Sequence, residues 1–212
     1  MDFTKLEDTY NNRKINYLDK LVPELHKHLK DILSNYPRVD KIAVRSKTVE
    51  RFIQKAKKKD ENGHFKYSDP INQIQDQLGA RIVTFYISDV DKIAKIIEDY
   101  YSYIERADIV SDSINEFGYE GKHYMLFIPE DIIPNKSFKE YIPPFFELQI
   151  KTLFQHAWGE AEHDLGYKTS VPLSITEKRK IAFTAAQAWG ADNIFNELFN
   201  AQEERIKTAP SS

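Results

Sequence analysis

Apolar positions near the start of the chain recur at helical spacing. Leu18, Leu21, Leu25, Leu29 and Ile32 fall three or four apart and so share one helix face. The pattern predicts helix over about residues 3–35, bent or broken around Pro23 and ended by Pro37. From Lys41 to Lys59 the spacing predicts a second helical stretch, with Val49, Phe52 and Ile53 inward and cations outward. DENGH (60–64) reads as a loop, and a short helix near 71–77 leads into ARIVTFYI (80–87), β-branched and aromatic enough for a buried strand. SDVDKIAKIIEDYY reads as an amphipathic helix with Ser88 or Asp89 as its N-cap. Strands follow near 106–111 and 122–128, then a proline-containing loop over 129–144, then a strand at FFELQI (145–150) and a helix at 153–165. Ser174 and Glu177 form an S-x-x-E capping box for a last helix of roughly thirty residues.

Strands interleaved with helices, without repeats or a Gly/Ser linker, predict one α/β (α+β) domain over 1–212. Its parts are an N-terminal helical extension (1–40), a core (41–170) around a mixed sheet of four to five strands, and a C-terminal helix (171–212). Composition narrows the picture. The chain has no cysteine, which excludes disulfides, thiol nucleophiles and thiolate zinc sites and fits a cytoplasmic setting. The N-terminus lacks an apolar core and no apolar run is membrane-length, so neither a secretory signal nor a membrane partner is expected. A net charge of −3 argues against a whole-surface nucleic-acid binder while leaving room for a local basic site.

Such a site is offered by VRSKTVERFIQKAKKK, with Arg45, Lys47, Arg51 and Lys55. Arg51 and Lys55 lie four apart on one helical face; the stretch is either a solvated face or a cradle for a polyphosphate. Asp76 stands just before a strand, where it is either a helix-end carboxylate or a Mg²⁺ ligand. In FELQI, Glu147 and Gln149 share one strand face opposite Phe146, Leu148 and Ile150, and a carboxylate in so apolar a strand needs a partner that metal or catalysis would supply. FGYEGKH (117–123) lacks Walker spacing; it is a tight turn or a loop that presents Tyr119 as a stacking platform. His156, Glu162 and His163 match neither H-E-x-x-H nor its inverse, and no zinc site is read there.

Taken in order, these segments resemble the synthetase domain of the RelA/SpoT family, in its small, hydrolase-less form. The resemblance covers roughly 40–170. It rests on R-x-K with a later Lys (Arg45, Lys47, Lys55), D-x-x-G-x-R (Asp76, Gly79, Arg81) and a G-Y-x-x-x-H loop (Gly118, Tyr119, His123). It continues through E-x-Q-I-[RK]-T (Glu147, Gln149, Lys151, Thr152) into a helix carrying His156, Trp158, Glu162 and His163, and ends at Tyr167 and Lys168.

The resemblance implies a nucleotidyltransferase-like fold and transfer of the β,γ-pyrophosphate of ATP to the 3′-hydroxyl of GDP or GTP. By matched position, Arg45, Lys47, Lys55 and Arg81 would hold ATP. Asp76 and Glu147 would bind Mg²⁺, with Glu147 assisting deprotonation. Tyr119, His123, His156 and Gln149 would hold the acceptor. The stretch SDSINEFGY carries Asn115 and Phe117 where guanosine-nucleotide synthetases have a lysine-bearing segment. That departure keeps open a toxic relative acting on the 3′ CCA end of tRNA, with homo-oligomers and an antitoxin as further partners. A catalytically dead family member serving as a nucleotide-binding or interaction module is the third reading, opposed by the presence of both Asp76 and Glu147.

Overall fold

The structure is a computed structural model that describes residues 1–101, 103–108, 119, 121–167 and 173–209. Its elements are α1 (Phe3–Arg13), a π-helical turn (Lys14–Leu18), α2 (Asp19–Ile32), β1 (Val39–Ser46), α3 (Val49–Ala56) and α4 (Pro70–Gln73). They continue with β2 (Leu78–Thr84), α5 (Ile87–Tyr100), β3 (Tyr103–Asp108), β4 (Lys122–Phe127), β5 (Phe145–Thr152), α6 (Leu153–Tyr167) and α7 (Ile175–Thr208). The strands form one mixed sheet of order β1-β2-β5-β4-β3, with β2 and β5 parallel and the other pairs antiparallel. The expected α/β fold with a mixed sheet and flanking helices is what the chain adopts.

Leu18, Leu21, Leu25 and Leu29 are fully buried, as their spacing predicts, and pack α2 onto the core that Phe52, Ile82, Phe146, Leu148 and Ile150 share. The irregularity in this helical stretch lies one turn earlier than Pro23. The π turn at Lys14–Leu18 inserts a wider loop of backbone, and Pro23 sits inside a continuing α2. The second correction is larger. Residues 41–46 form the strand β1, not the start of a helix, and only Val49–Ala56 is helical, capped by the Thr48 hydroxyl. Ile42 and Val44 alternate against the core, while Arg45 takes the other face.

Neither Ser88 nor Asp89 caps α5. The helix begins at Ile87, Ser88 N–H donates to Asn196 Oδ1 on α7, and Asp89 is a fully buried partner of Arg38 at 3.0 Å. An unpaired carboxylate there would be costly, and the guanidinium removes that cost. The capping box at Ser174 and Glu177 is formed, and α7 runs for 34 residues. Tyr86 stacks on Phe199 at 4.2 Å between ring centroids, which ties the far half of α7 to the β2–α5 turn. Of the strand expected near 106–111, residues 103–108 are strand and 109–111 lie outside the described residues, as do Gly118 and Lys168. No helix among the described residues is long and apolar enough to cross a membrane.

Candidate active site

Strand register builds the floor of the site. Arg45 on β1 lies opposite Gly79 on β2, and Gly79 lies opposite Glu147 on β5. Two residues along, Ala43, Arg81, Gln149 and His123 form a second row across β1, β2, β5 and β4. Residues opposite one another share a sheet face, so these side chains rise on the face away from buried Ala80, Ile82, Leu148 and Ile150. Small Gly79 and Ala43 leave a hollow among Arg45, Arg81, Glu147 and Gln149. A Cβ on Gly79 would meet nothing within 4 Å, so this glycine is a gap in the floor rather than a steric necessity of the fold. Above the floor opens a cleft of about 430 Å³, walled by Lys47, Arg51, Gln54 and Lys55 on one side and by His156, Gly159, Glu160 and His163 of α6 on the other.

Charge in the cleft is arranged around two carboxylates. Asp76 Oδ2 is 2.9 Å from both Lys47 Nζ and Lys55 Nζ. Burial works to raise its pKa, but the charges and hydrogen bonds of Lys47 and Lys55 outweigh it and hold the carboxyl below its ordinary value. Glu147 is likewise pushed up by burial and pulled lower by His123, whose Nδ1 lies 3.6 Å from Oε1, and by Gln149; the nearby charge of Asp76 opposes this. Arg81 donates to Glu160 Oε1 at 2.5 Å and lies 3.2 Å from His156 Nδ1. Burial first, then the Arg81 charge, lowers the His156 pKa and favours a neutral ring. Burial also lowers the Arg45 pKa, with Arg51 and Arg81 adding like charge, so three cations crowd one side of the cleft.

The donor set suits one kind of metal. Asp76 Oδ1 is buried with no hydrogen-bond partner, an acceptor left over after both lysines have taken Oδ2. No cluster of three or more His, Cys, Asp or Glu with metal-binding geometry occurs among the described residues. One or two carboxylates, with the remaining positions left to water and phosphate oxygen, is how Mg²⁺ is commonly held, whereas zinc demands a fuller protein shell.

A family model described as "Region found in RelA / SpoT proteins" matches residues 44–171. The chain belongs to the RelA/SpoT family. A curated relative, GTP pyrophosphokinase YjbM of Bacillus subtilis (strain 168), is 27% identical over 176 residues, 78% of this chain and 76% of the relative. The crystal structure of small alarmone synthetase 1 from Bacillus subtilis matches with a TM-score of 0.74 at 21% identity, over 93% of this chain and 99% of that one. A GTP pyrophosphokinase family protein from Streptococcus pneumoniae matches with a TM-score of 0.71 at 23% identity, over 91% and 96% of the two chains. These structural likenesses establish the shared fold.

The RelA/SpoT match begins after α1 and α2, yet those helices hold the site in place. Tyr10 OH donates to Lys47 O at 2.9 Å, and the Tyr10 ring stacks on Phe52 of α3 at 3.7 Å. Ser46 Oγ donates to Asp19 at 2.6 Å, and Arg13 reaches Ile71 O and Gln77 Oε1 beside Asp76. The N-terminal extension is therefore the buttress of both Lys47 and the Asp76 loop.

Of the site residues expected from sequence, the fold gathers Arg45, Lys47, Lys55, Asp76, Arg81, His123, Glu147, Gln149 and His156 around one cleft. Tyr119 is not among the lining residues. It is 5% exposed, and its hydroxyl donates to Asp192 of α7. Lys151, Glu160 and the supports Tyr10, Arg13 and Asp19 carried no assigned role. Lys151 could have been found by extending the Glu147–Gln149 alternation one step, and Glu160 by its place one turn after His156.

Proposed function

We propose that this chain is an ATP-dependent pyrophosphokinase that moves the β,γ-pyrophosphate of ATP to the 3′-hydroxyl of GDP or GTP, making (p)ppGpp and releasing AMP. The observation that carries the reading is the carboxylate pair Asp76 and Glu147 set among Arg45, Lys47, Arg51, Lys55 and Arg81 in one cleft. Such a transfer asks for little covalent chemistry from the protein and much positioning and charge neutralisation. Lys47 and Lys55, held by Asp76, exchange that carboxylate for phosphate oxygens when ATP enters, and Arg45 and Arg81 face the same ligand from the sheet. The acceptor 3′-oxygen attacks the β-phosphorus, the bond from that phosphorus to the α-phosphate oxygen breaks, and the hydroxyl proton passes to Glu147. A lowered pKa keeps Glu147 ionised and able to accept it. Mg²⁺ held by Asp76 and Glu147 would neutralise charge on the phosphates. His123, Gln149 and His156 line the acceptor side, whereas buried Tyr119, expected from the sequence as the base platform, does not face the cleft.

The relatives support this reading: one is named GTP pyrophosphokinase, and small alarmone synthetase 1 has been solved bound to its product pppGpp and to AMPCPP. A second reading, a tRNA 3′ end as acceptor, is favoured by one observation. Lys58 continues the cleft wall outward to Lys57, set over the Phe3 ring, and Lys59, set over the Phe65 ring. Incubation with γ-labelled ATP and Mg²⁺ against GDP, GTP, ATP and bulk tRNA, followed by chromatography, tests both. Label on GDP or GTP supports the first reading, label on tRNA alone replaces it with the second, and label on neither refutes transfer. Apparent affinity for tRNA should fall steeply with salt, because several phosphates are engaged, and that for a mononucleotide much less.

A further inference from the structure

We infer that Gln77 is a positioning residue of the nucleotide site, its buried side-chain amide fixing the loop that carries Asp76. The inference rests on the role proposed for Asp76 as a ligand of Mg²⁺. Gln77 is fully buried, and its side chain is committed to hydrogen bonds at both ends. Nε2 donates to Ile71 O at 2.7 Å and to Ile74 O at 2.8 Å, while Oε1 accepts from Arg13 Nη1 at 3.2 Å. The same Arg13 nitrogen donates to Ile71 O at 2.8 Å. Two carbonyls at one end and a guanidinium at the other leave the amide a single orientation. α4 is only four residues long and turns extended at Ile74, so it cannot satisfy its last carbonyls from within. The Gln77 amide takes the place of the helical turn that does not follow.

These bonds bracket Asp76. Ile74, two residues before it, is held through its carbonyl, and Gln77, the next residue after it, is held by its own main chain. Gln77 O accepts from Lys47 N–H at 2.8 Å, one rung beyond Ser46 and Leu78, the last partners of the β1–β2 ladder. Lys47 O accepts in turn from the Tyr10 hydroxyl. One residue therefore governs both sides of the Asp76–Lys47 contact: its main chain sets where Lys47 starts from, and its side chain sets where Asp76 does. The outcome is a carboxylate with Oδ2 at 2.9 Å from both Lys47 Nζ and Lys55 Nζ and with Oδ1 buried and unpartnered, and both Asp76 and Lys47 line the cleft. Binding that depends on such placement tolerates displacements of only about half an ångström. A leucine at 77 would fill the same volume, but it would take the amide donor from Ile74 O and let the loop shift.

Calorimetric titration with ATP in the presence of Mg²⁺, set beside steady-state transfer, provides the test. Gln77→Leu keeps the bulk and removes the staple. Its ATP affinity and its kcat should each fall about 10–100-fold, the loss usual when a group supporting a metal ligand is removed, with the acceptor KM unchanged. Once Asp76 itself is replaced, the staple has nothing to place. In the Asp76→Asn background, Gln77→Leu should therefore weaken ATP binding by less than about twofold, a coupling that a purely structural role would not produce. If Gln77→Leu fails to fold, Arg13→Met carries the decision, since it spares both donations from Nε2 and removes only the support behind them. Its kcat should fall about three- to tenfold, and an unchanged kcat there would overturn the inference. A lower melting temperature for Gln77→Leu with unchanged ATP affinity and kcat would also overturn it, leaving Gln77 a structural residue. Equal losses of affinity in the wild-type and Asp76→Asn backgrounds would do the same. Asp76→Asn alone separates this inference from the reading beneath it. Normal transfer in that variant removes the role of Asp76 itself. Lost transfer there, with Gln77→Leu normal, removes only the part assigned to Gln77.

Discussion

Asp76→Asn separates the lysine contacts that the structure shows at this side chain from the Mg²⁺ ligation proposed for it. The amide keeps the shape of the carboxylate but carries no charge, and it faces two ammonium groups, each 2.9 Å away in the wild type. Each contact changes from an ion pair to a hydrogen bond that an ammonium donates to an uncharged oxygen, losing the attraction between opposite charges, about 1 kcal/mol for a partly exposed pair. Relief from burying the carboxylate returns part of the loss, so the net cost should be about 1–2 kcal/mol, or a melting point lower by about 2–8 °C for a chain of this size. The effect on transfer should be far larger. Losing a metal ligand removes several kcal/mol of transition-state stabilisation, a fall of at least about a hundredfold in rate. ATP binding by calorimetry should then divide by condition. With Mg²⁺ it weakens; with chelator it holds or strengthens, because Lys47 and Lys55 no longer have a carboxylate to serve. Transfer within tenfold of wild type would refute the metal assignment. Equal loss of ATP affinity with and without Mg²⁺ would mean that Asp76 acts by orienting the lysines alone.

Lys55→Ala should weaken ATP binding by about 1.5–3 kcal/mol, a contact to phosphate being charge-assisted, and an unchanged affinity by calorimetry would return α3 to a solvated face. Gly121→Ala should destabilise the fold by about 2–3 kcal/mol, since its methyl would have to displace the Ile150 carbonyl, whereas Gly190→Ala, in open space on α7, should stabilise it by up to about 1 kcal/mol. Urea unfolding of both reads the difference, and effects of one sign would contradict the geometry. The Asp76 pKa is lowered in the fold, so the stability it brings is present above its unfolded value of about 4 and is lost as pH falls through the lower folded value. The stability gap between wild type and Asp76→Asn should accordingly stay constant above about pH 5 and close in more acid solution, and a gap that closed near neutrality would implicate a histidine instead.

Legibility followed locality. The β2 and β5 strands, the placing of Glu147 and Gln149 on one face, the buried leucines of α2 and the Ser174 capping box all depend on side chains within a few residues of one another, and the sequence displays them directly. β1 is hidden in the sequence because Arg45 and Lys47 continue the cationic rhythm of α3, which masks the shorter alternation of Ile42 and Val44. Asp89 looks like a helix cap because Arg38, the partner of its buried carboxylate, is 51 residues away. The same holds at the site. Nine of the expected residues were legible because motif order carries them, but the support of Lys47 by Tyr10 spans 37 residues and the tie from Tyr119 to Asp192 spans 73. Nothing within a local window marks either contact.

The rows across the floor of the cleft join residues that are distant along the chain: Arg45 to Gly79 to Glu147, and Ala43 to Arg81 to Gln149 to His123. Among the described residues, no hairpin or single helix holds half of the cleft's lining. The parallel pairing of β2 with β5 closes a long stretch of chain, the kind of contact that forms slowly and late in folding. The nucleotide site therefore comes into being only when the sheet is complete, and a ligand seated there recognises finished molecules alone. Ligand concentration then acts on every strand at once, adding RT ln(1 + [L]/Kd) to the cost of opening any of them. Hydrogen exchange in β2, β5 and β4 should slow together in saturating ATP, and a chain starved of nucleotide should be the easier one for a protease to open.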